Sequence, residues 1–385
     1  MDLPLPTDTT PQKQLSKARF ATQALFLVCG LGLATWVPMV PLAKIRLNLN
    51  EAELGLILLC LGAGAMTIMP FTGSLINRFG SRLIMLLSAL MIAAVLPLLL
   101  FASTSLALAV SLYLFGVAIG AIDVSMNAQA VVIQERTGKY IMSSFHGLFS
   151  VGGLIGSLGL GFLLGLGLSS TLAIVVISGL LVFIAVSQYS SLLPRSEEKT
   201  VEAATLTIPK GRVLVLGLMC FVAFLAEGAI LDWSAVFLQF YRNFNESISG
   251  VGFAAFSVAM AIMRMSGDKL IHHFNPKKVV LYGGIIAAIG IIIAISIPIG
   301  AITVFGFVLV GIGCANIVPV FFSAAGDLPD TSPSVAIAGV TTLGYIGQLA
   351  GPAALGFIAE LTSLPLALGG VSVLLVIVAF TFKDK

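Results

Sequence analysis

Twelve apolar runs, each about the length of a bilayer-spanning helix (roughly 18–25 residues), limit what this chain can become. They fall near 18–40, 52–72, 82–102, 106–134, 142–165, 170–192, 212–239, 248–270, 278–298, 301–325, 334–360 and 365–382. Membrane-barrel strands are about 10 residues long and alternate polar with apolar side chains. Runs such as LVFIAV and VLLVIVAF do not alternate, so the spans are predicted to be helices. Only 10% of the residues are charged and 58% are hydrophobic, against about 25% charged in an ordinary soluble domain. Such a chain has too little polar surface to face water, and the lipid bilayer is its expected surrounding. With a net charge of only +3, no nucleic-acid partner is expected.

The basic residues sort by side. An even number of spans returns the chain to its starting side, and 16 of the 20 Lys and Arg fall there. Lys44, Arg46 and Arg242 fall on the opposite side, and Arg264 lies within a span. Basic loops stay in the cytoplasm, so both termini are expected there. The opening MDLPLPTDTTPQ is polar and the run after it is of spanning length, so no cleavable signal peptide is expected. Cys29, Cys60, Cys220 and Cys314 all fall within spans without a CxxC pair, and read as small buried apolar residues.

A second pattern divides the chain. NLNEAELG (48–55) returns as NFNESISG (243–250), an offset of 195 residues. IMPFTG (68–73) returns as IMRMSG (262–267) at 194, and VAIGAID (117–123) as VGIGCAN (310–316) at 193. VGGLIGSLGLGF (151–162) matches IGQLAGPAALGF (346–357) at 195. Four matches in one order indicate a duplicated six-helix unit. The expected division is a cytoplasmic tail 1–17, a bundle 18–192, a cytoplasmic linker 193–211 and a second bundle 212–385. Because six is even, both copies insert with the same orientation, which places a ligand site near the midplane between them. Within the repeat, Asn50 and Asn245 stand where they can cap the next helix. Gly55 and Gly250 then admit a close neighbour, as do the glycines at 152, 156, 161 and 165 and at 347, 351 and 356. Pro97, Pro319 and Pro352 are expected to kink their helices.

Ionisable residues inside spans are the candidate site. Asp123 lies about eleven residues, or roughly 16 Å, from the cytoplasmic end of the fourth span, near mid-membrane. A carboxylate there is functional by default, the competing reading being a structural group held by neighbouring hydroxyls. Asn127 follows one turn later on the same face. On the fifth span His146, Ser150, Gly153 and Ser157 share a face, and His146 is expected to approach Asn127. That histidine can shuttle protons or clamp helices. Glu227 sits toward the centre of the seventh span as a cavity candidate. Asp232 and Trp233 lie nearer its outer end, where Trp233 reads as an interface anchor and Asp232 stays open between anchor and cavity. Arg264 can attract an anion, pair with a helix carboxylate, or snorkel to the interface. Asn316 is the repeat partner of Asp123. Thr341, Tyr345 and Gln348 share a face of the eleventh span and can bind hydroxyls or link helices. The expected substrate-lining set is Asn127, Glu227, Asn316, Tyr345 and Gln348, and the expected proton-coupling pair is Asp123 and His146.

There is no GxxxxGK[ST] loop, no HExxH and no Cys–His cluster, so neither an enzyme nor a metal or other cofactor is expected. An ATP-driven pump needs a motor domain outside the membrane, and the longest polar segment is the linker. The energy source is then a gradient or none.

The loop after the second span, GSLINRFGSR, resembles the major facilitator superfamily signature G-x-x-x-D-R-x-G-x-R/K, with Gly73, Arg78, Gly80 and Arg82 in place and Asn77 where the family carries Asp. The second copy, GDKLIHHFNPKK, has His272 and His273 in the Asp-Arg places. The resemblance implies gating roles for Gly73, Asn77, Arg78, Gly80 and Arg82, with Arg264 counted among them. AEGAILDW (226–233), GAIDVSMNAQAVVIQE (120–135), SFHGLFSVGGLIG (144–156) and GYIGQLAGPAALG (344–356) are similar to a bacterial inner-membrane branch related to fucose permeases. That similarity implies an all-α, twelve-helix transporter of the cell inner membrane, rocking two bundles about a central cavity. It also implies an acidic proton carrier in the fourth helix, where Asp123 lies. The expectation is a monomeric, proton-coupled transporter of a small polar solute such as a sugar. The alternatives are a drug or metabolite exporter and, from another class, a membrane sensor that does not transport.

Overall fold

A computed structural model describes residues 9–137, 141–197, 210–329 and 333–382. Every regular element among the described residues is helical: α1 (Thr9–Thr35), α2 (Met39–Arg46), α3 (Glu51–Phe79), α4 (Ser81–Phe101), α5 (Ser105–Thr137), α6 (Met142–Gly165), α7 (Ser170–Gln188), α8 (Gly211–Arg242), α9 (Val251–Met265), α10 (Gly267–Phe274), α11 (Pro276–Ser296), α12 (Gly300–Cys314), α13 (Ile317–Gly326), α14 (Pro333–Leu361) and α15 (Leu364–Thr381). Twelve stretches among them are long and apolar enough to cross a membrane, arranged as two six-helix bundles. The first span joins α1 to α2 through a turn, and the tenth joins α12 to α13. The eighth reads as continuous over 248–270 in sequence, but its helix stops at Met265 and α10 begins after Ser266. Part of the linker, residues 198–209, lies outside the described residues, as do Lys139, Lys199, Lys383 and Lys385.

Helix starts and stops follow local chemistry that recurs between halves. Asn50 Oδ1 accepts from the Glu53 N–H at 2.8 Å, and Glu53 Oε2 accepts from the Asn50 N–H at 3.0 Å, a reciprocal cap on α3. Asn245 does not repeat it. It opens a 3-10 turn over Glu246–Ile248 without a side-chain cap, and α9 starts only at Val251. The sixth and twelfth spans start alike, Ser169 and Ser363 accepting from Leu172 N (3.3 Å) and Leu366 N (3.4 Å). Two arginines close helices in parallel fashion. Arg46 donates to the terminal carbonyls of α4, at 3.0 Å to Leu99 O and 2.9 Å to Ala102 O. Arg242 donates to Ala294 O at 2.7 Å and Ile295 O at 3.1 Å at the end of α11. A cation suits the negative end of a helix. The prolines behave differently from one another: α4 and α14 run through Pro97 and Pro352 as single helices, whereas the tenth span breaks just before Pro319.

Glycines set the packing. A Cβ at Gly152 or Gly156 would strike the backbone of α1 at Leu27 and Leu31. In the second half, one at Gly347 would strike α8 backbone at Phe221, and one at Gly351 the Leu225 side chain. Contact between halves also runs through glycine. Gly55 of α3 lies against Pro352, Ala353 and Gly356 of α14, while Gly161 of α6 meets Ser247 and Gly250 meets Ser157. Glu360 Oε2 accepts from the Glu51 N–H at 3.1 Å, and Lys44 lies over the Phe240 ring. These contacts gather at the membrane end that carries Glu51, away from Gly80. Gly165, by contrast, has open space around it.

The outer surface carries exposed Leu106, Phe183 and Phe380, as a lipid-facing surface should. Trp36 and Trp233 are not there. Both are fully buried, which corrects the reading of Trp233 as an interface anchor. Each ring fills space inside the helix packing, and its indole Nε1 has no hydrogen-bond partner among the described residues.

Candidate functional site

Between the bundles lies a cavity of about 520 Å³, within the size range of small-molecule sites, walled by α1, α3, α5, α6, α8, α9, α10, α13 and α14. Its lining runs from Leu58 and Pro352 near the Glu51 end to Ile271 and Phe322 at the other.

Asp123 reaches this cavity from α5, a helix held close to α3 by Gly116 and Gly120, whose missing side chains leave room for Leu61 and Ala65. Two donors from different halves address its carboxylate. Asn127 Nδ2 donates to Asp123 Oδ1 at 3.2 Å and to the Asp123 carbonyl at 2.9 Å. Tyr345 Oη, from α14 in the other bundle, donates to Asp123 Oδ2 at 3.3 Å. The Tyr345 ring stacks on Phe224 of α8 with centroids 5.7 Å apart, which fixes where its hydroxyl points. Asn127 is not part of the lining; its amide serves Asp123. The expected approach of Asn127 to His146 is not among the described contacts. His146 lines the cavity and packs edge-on against Phe26, with ring centroids 5.3 Å apart.

The second half builds its site around broken helices. Proline has no N–H, so Pro319 leaves the carbonyl of Ala315 without its helical donor, and Arg264 Nε donates to that oxygen at 3.2 Å. At the turn on Ser266 the Met263 carbonyl accepts from the Ser266 N–H at 3.2 Å and, with its second lone pair, from Asn316 Nδ2 at 3.1 Å. Each break thus supplies the acceptor for a side chain from the other. The arrangement also needs Gly267, since a Cβ there would strike Asn316 Oδ1. Arg264 Nη2 additionally bonds both oxygens of Glu227, at 3.1 and 3.3 Å. Of the readings open for Arg264, pairing with a helix carboxylate is the one the structure takes. Glu227, Asn316, Arg264, Tyr345 and Gln348 all line the cavity.

Asp232 lines it as well. It is only 7% exposed and has no hydrogen bond or ion pair among the described residues.

The signature loop sits away from the cavity. Gly80 has φ +85°, ends α3 and begins α4, and stands against Arg195 after the sixth span. Arg82 lies over the Tyr189 ring at 4.9 Å and Arg78 over Phe79 at 5.1 Å, while Gly73 is buried and Asn77 half-buried. In the second copy the side chains of Asp268, Lys269 and His272 lie outside the described residues, and His273 packs against Phe274.

Sequence reasoning passed over Gln129. Its Nε2 donates to Ser81 Oγ at 2.7 Å, while its Oε1 accepts from Thr22 Oγ1 at 2.9 Å and from Leu193 N at 3.3 Å. One buried amide thereby ties together α1, α4, α5 and the chain leaving α7. The available signal was a glutamine inside a span, which must find partners.

Two helical bundles that span a bilayer and face each other across an ionisable cavity define a membrane transporter rather than an enzyme. The chain belongs to the Major Facilitator Superfamily, which it matches over residues 24–352. It is 46% identical over 359 residues to an uncharacterised MFS-type transporter of Yersinia pestis, covering 93% of each chain. It is 33% identical over 360 residues to the membrane protein MosC of Rhizobium meliloti, covering 94% of this chain and 88% of that one. Among solved structures, the nucleoside transporter NupG superposes with TM-score 0.71 at 14% identity, covering 96% of this chain and 100% of that one. A bacterial homologue of the human lysosomal transporter Spinster, inward-facing and unoccupied, gives 0.73 at 15%, covering 95% and 96%. At such identities the likeness is one of fold.

Proposed function

We propose that this transporter moves a small polar solute, a sugar or related metabolite, across a bacterial inner membrane in exchange for the free energy of a proton gradient. In this reading the units 18–192 and 212–385 rock about the linker 193–211 and expose the cavity alternately to each side. The branch related to fucose permeases remains part of the proposal.

The observation that carries it is the hydrogen bond from Tyr345 to Asp123 between the two bundles. Ionised, Asp123 accepts only, and both of its donors are attracted to the negative charge. A proton on the carboxyl removes that charge and weakens the hold on Tyr345. Proton occupancy at Asp123 is thereby linked to a bond that joins the halves, which is the coupling such a transporter requires. Glu227, Asn316, Tyr345 and Gln348 provide polar groups for the solute, and His146 stands on the facing wall. The Gly73–Arg82 loop and Arg264 act as gates.

The test has two stages. A metabolite library screened by thermal shift identifies a ligand, because binding to the folded form raises its midpoint. Vesicles reconstituted with the protein then take up that ligand under an imposed pH gradient. Uptake should rise with the gradient, and the rise should vanish in Asp123→Asn while exchange of internal for external ligand continues. An identical response of the two proteins removes the proton role. Reversing the gradient separates import from export.

A further inference from the structure

The charged groups on the cavity wall do not balance. Asp123, Glu227 and Asp232 are carboxyls, whereas Arg264 is the sole Lys or Arg among the described lining residues. Arg264 is committed to Glu227 at 3.1 Å. Asp123 has its own donors in Asn127 and Tyr345. Asp232 has none, although it is 93% buried by the measure of its 7% exposure and opens onto the cavity. An ionised carboxylate withdrawn from water without a partner is costly, and no cation of the described chain reaches this one.

Thr35, at the end of α1, is likewise a buried polar residue followed by a fully buried indole, that of Trp36. Thr35 satisfies itself by donating to Leu31 O at 2.7 Å on its own helix. A carboxylate has no proton to donate and cannot do the same. Asp232 also lies five residues beyond Glu227 toward the Glu51 end, about 7.5 Å of helix rise. That puts it at the deep end of the cavity, where contacts between halves close the floor.

Resting on the transport reading above, we propose that Asp232 is a binding subsite for a protonated amino group, so that the solute is a cationic, amine-bearing polyol or sugar rather than a neutral one. The ammonium supplies the missing counter-charge, and the hydroxyls of the same molecule face Asn316, Tyr345 and Gln348. Recognition of this kind is steep, because a site built around a charged hydrogen bond rejects the analogue that lacks it.

The experiment uses the purified full-length protein and three matched probe series: glucosamine, galactosamine and mannosamine, each with its neutral parent sugar and its N-acetyl derivative. Ligand-dependent thermal midpoints give affinities at one pH. The expected result is at least tenfold tighter binding of an amino sugar than of its parent and its N-acetyl form. Asp232→Asn should erase that preference, bringing the amino sugar to within about twofold of its parent, and Asp232→Glu should keep part of it. Should Asp232→Asn fail to fold, the wild-type comparison and Asp232→Glu still decide. Equal binding of amine and parent overturns the inference, as does an amine preference that survives in Asp232→Asn. In both cases sugar binding persists and the transport reading stands. Binding by no compound in any series counts against both.

Discussion

The two halves began from one pattern, yet they treat the membrane midplane differently. In the first, α3 and α5 cross as unbroken helices of 29 and 33 residues, and the acid at mid-depth, Asp123, hangs from a complete hydrogen-bond ladder. In the second, the matching spans break at Ser266 and just before Asn316. At those breaks the carbonyls of Met263 and Ala315 accept from Asn316 and Arg264, and the ionic group is the Glu227–Arg264 pair tied to that backbone. An intact helix offers side chains but no free backbone, so Asp123 takes its donors from side chains, Asn127 one turn along α5 and Tyr345 across the seam. A broken helix supplies its own acceptors and holds its charges fixed.

The sharpest way to break this contrast is to remove the fixed cation. Arg264→Ala leaves Glu227 without its counter-charge and Ala315 O without a donor. Breaking a buried pair costs about 3–5 kcal/mol, and because the Arg264 side chain is 35% exposed the loss should fall near the lower end. The thermal midpoint of the purified protein should drop by several degrees, and adding Glu227→Gln should recover part of it. An unchanged midpoint would mean the pair contributes nothing to holding the breaks.

Asn316→Ala should cost less. It deletes one of the two hydrogen bonds to the Met263 carbonyl, and interhelical side-chain bonds in membrane proteins average about 0.6 kcal/mol, with a ceiling near 1.7. The predicted signature is faster amide exchange around Met263–Gly267 with little change in the first half. The smallest effect compares the two echoed asparagines. Asn50→Ala should lose about 1 kcal/mol, the usual worth of an N-cap, while Asn245→Ala should be neutral, because Asn245 makes no cap. Equal losses at both sites would show that the turn over Glu246–Ile248 is not the resting arrangement.

Much of this was legible beforehand. Twelve spans follow from the length of apolar runs, and the duplication from echoes such as VGGLIGSLGLGF against IGQLAGPAALGF. The glycines of those echoes were readable as contact points, although which of them serve the seam was not. The helix breaks were harder. Pro319 signalled one, but IMRMSG stays apolar enough to read as continuous helix, and the stop at Ser266 comes from tertiary bonds to Asn316 and Arg264. Partner choice was beyond reach, since Asp123 and Tyr345 lie 222 positions apart and nothing local selects one tyrosine. Trp233 misled because a tryptophan near a span's end usually marks the headgroup region, whereas here the ring is buried in the core. Gln129 and Asp232 were visible as polar letters in apolar text, and only packing shows that one is fully engaged and the other solitary.

The seam at Gly55, Gly161, Gly250 and Gly356 places bare main chain against main chain. Surfaces without side chains have no rotamers to reset and no interlocked knobs to withdraw, so parting them disturbs little beyond the touching atoms themselves. By the same token, a single added methyl group on either face is enough to wedge the two backbones apart.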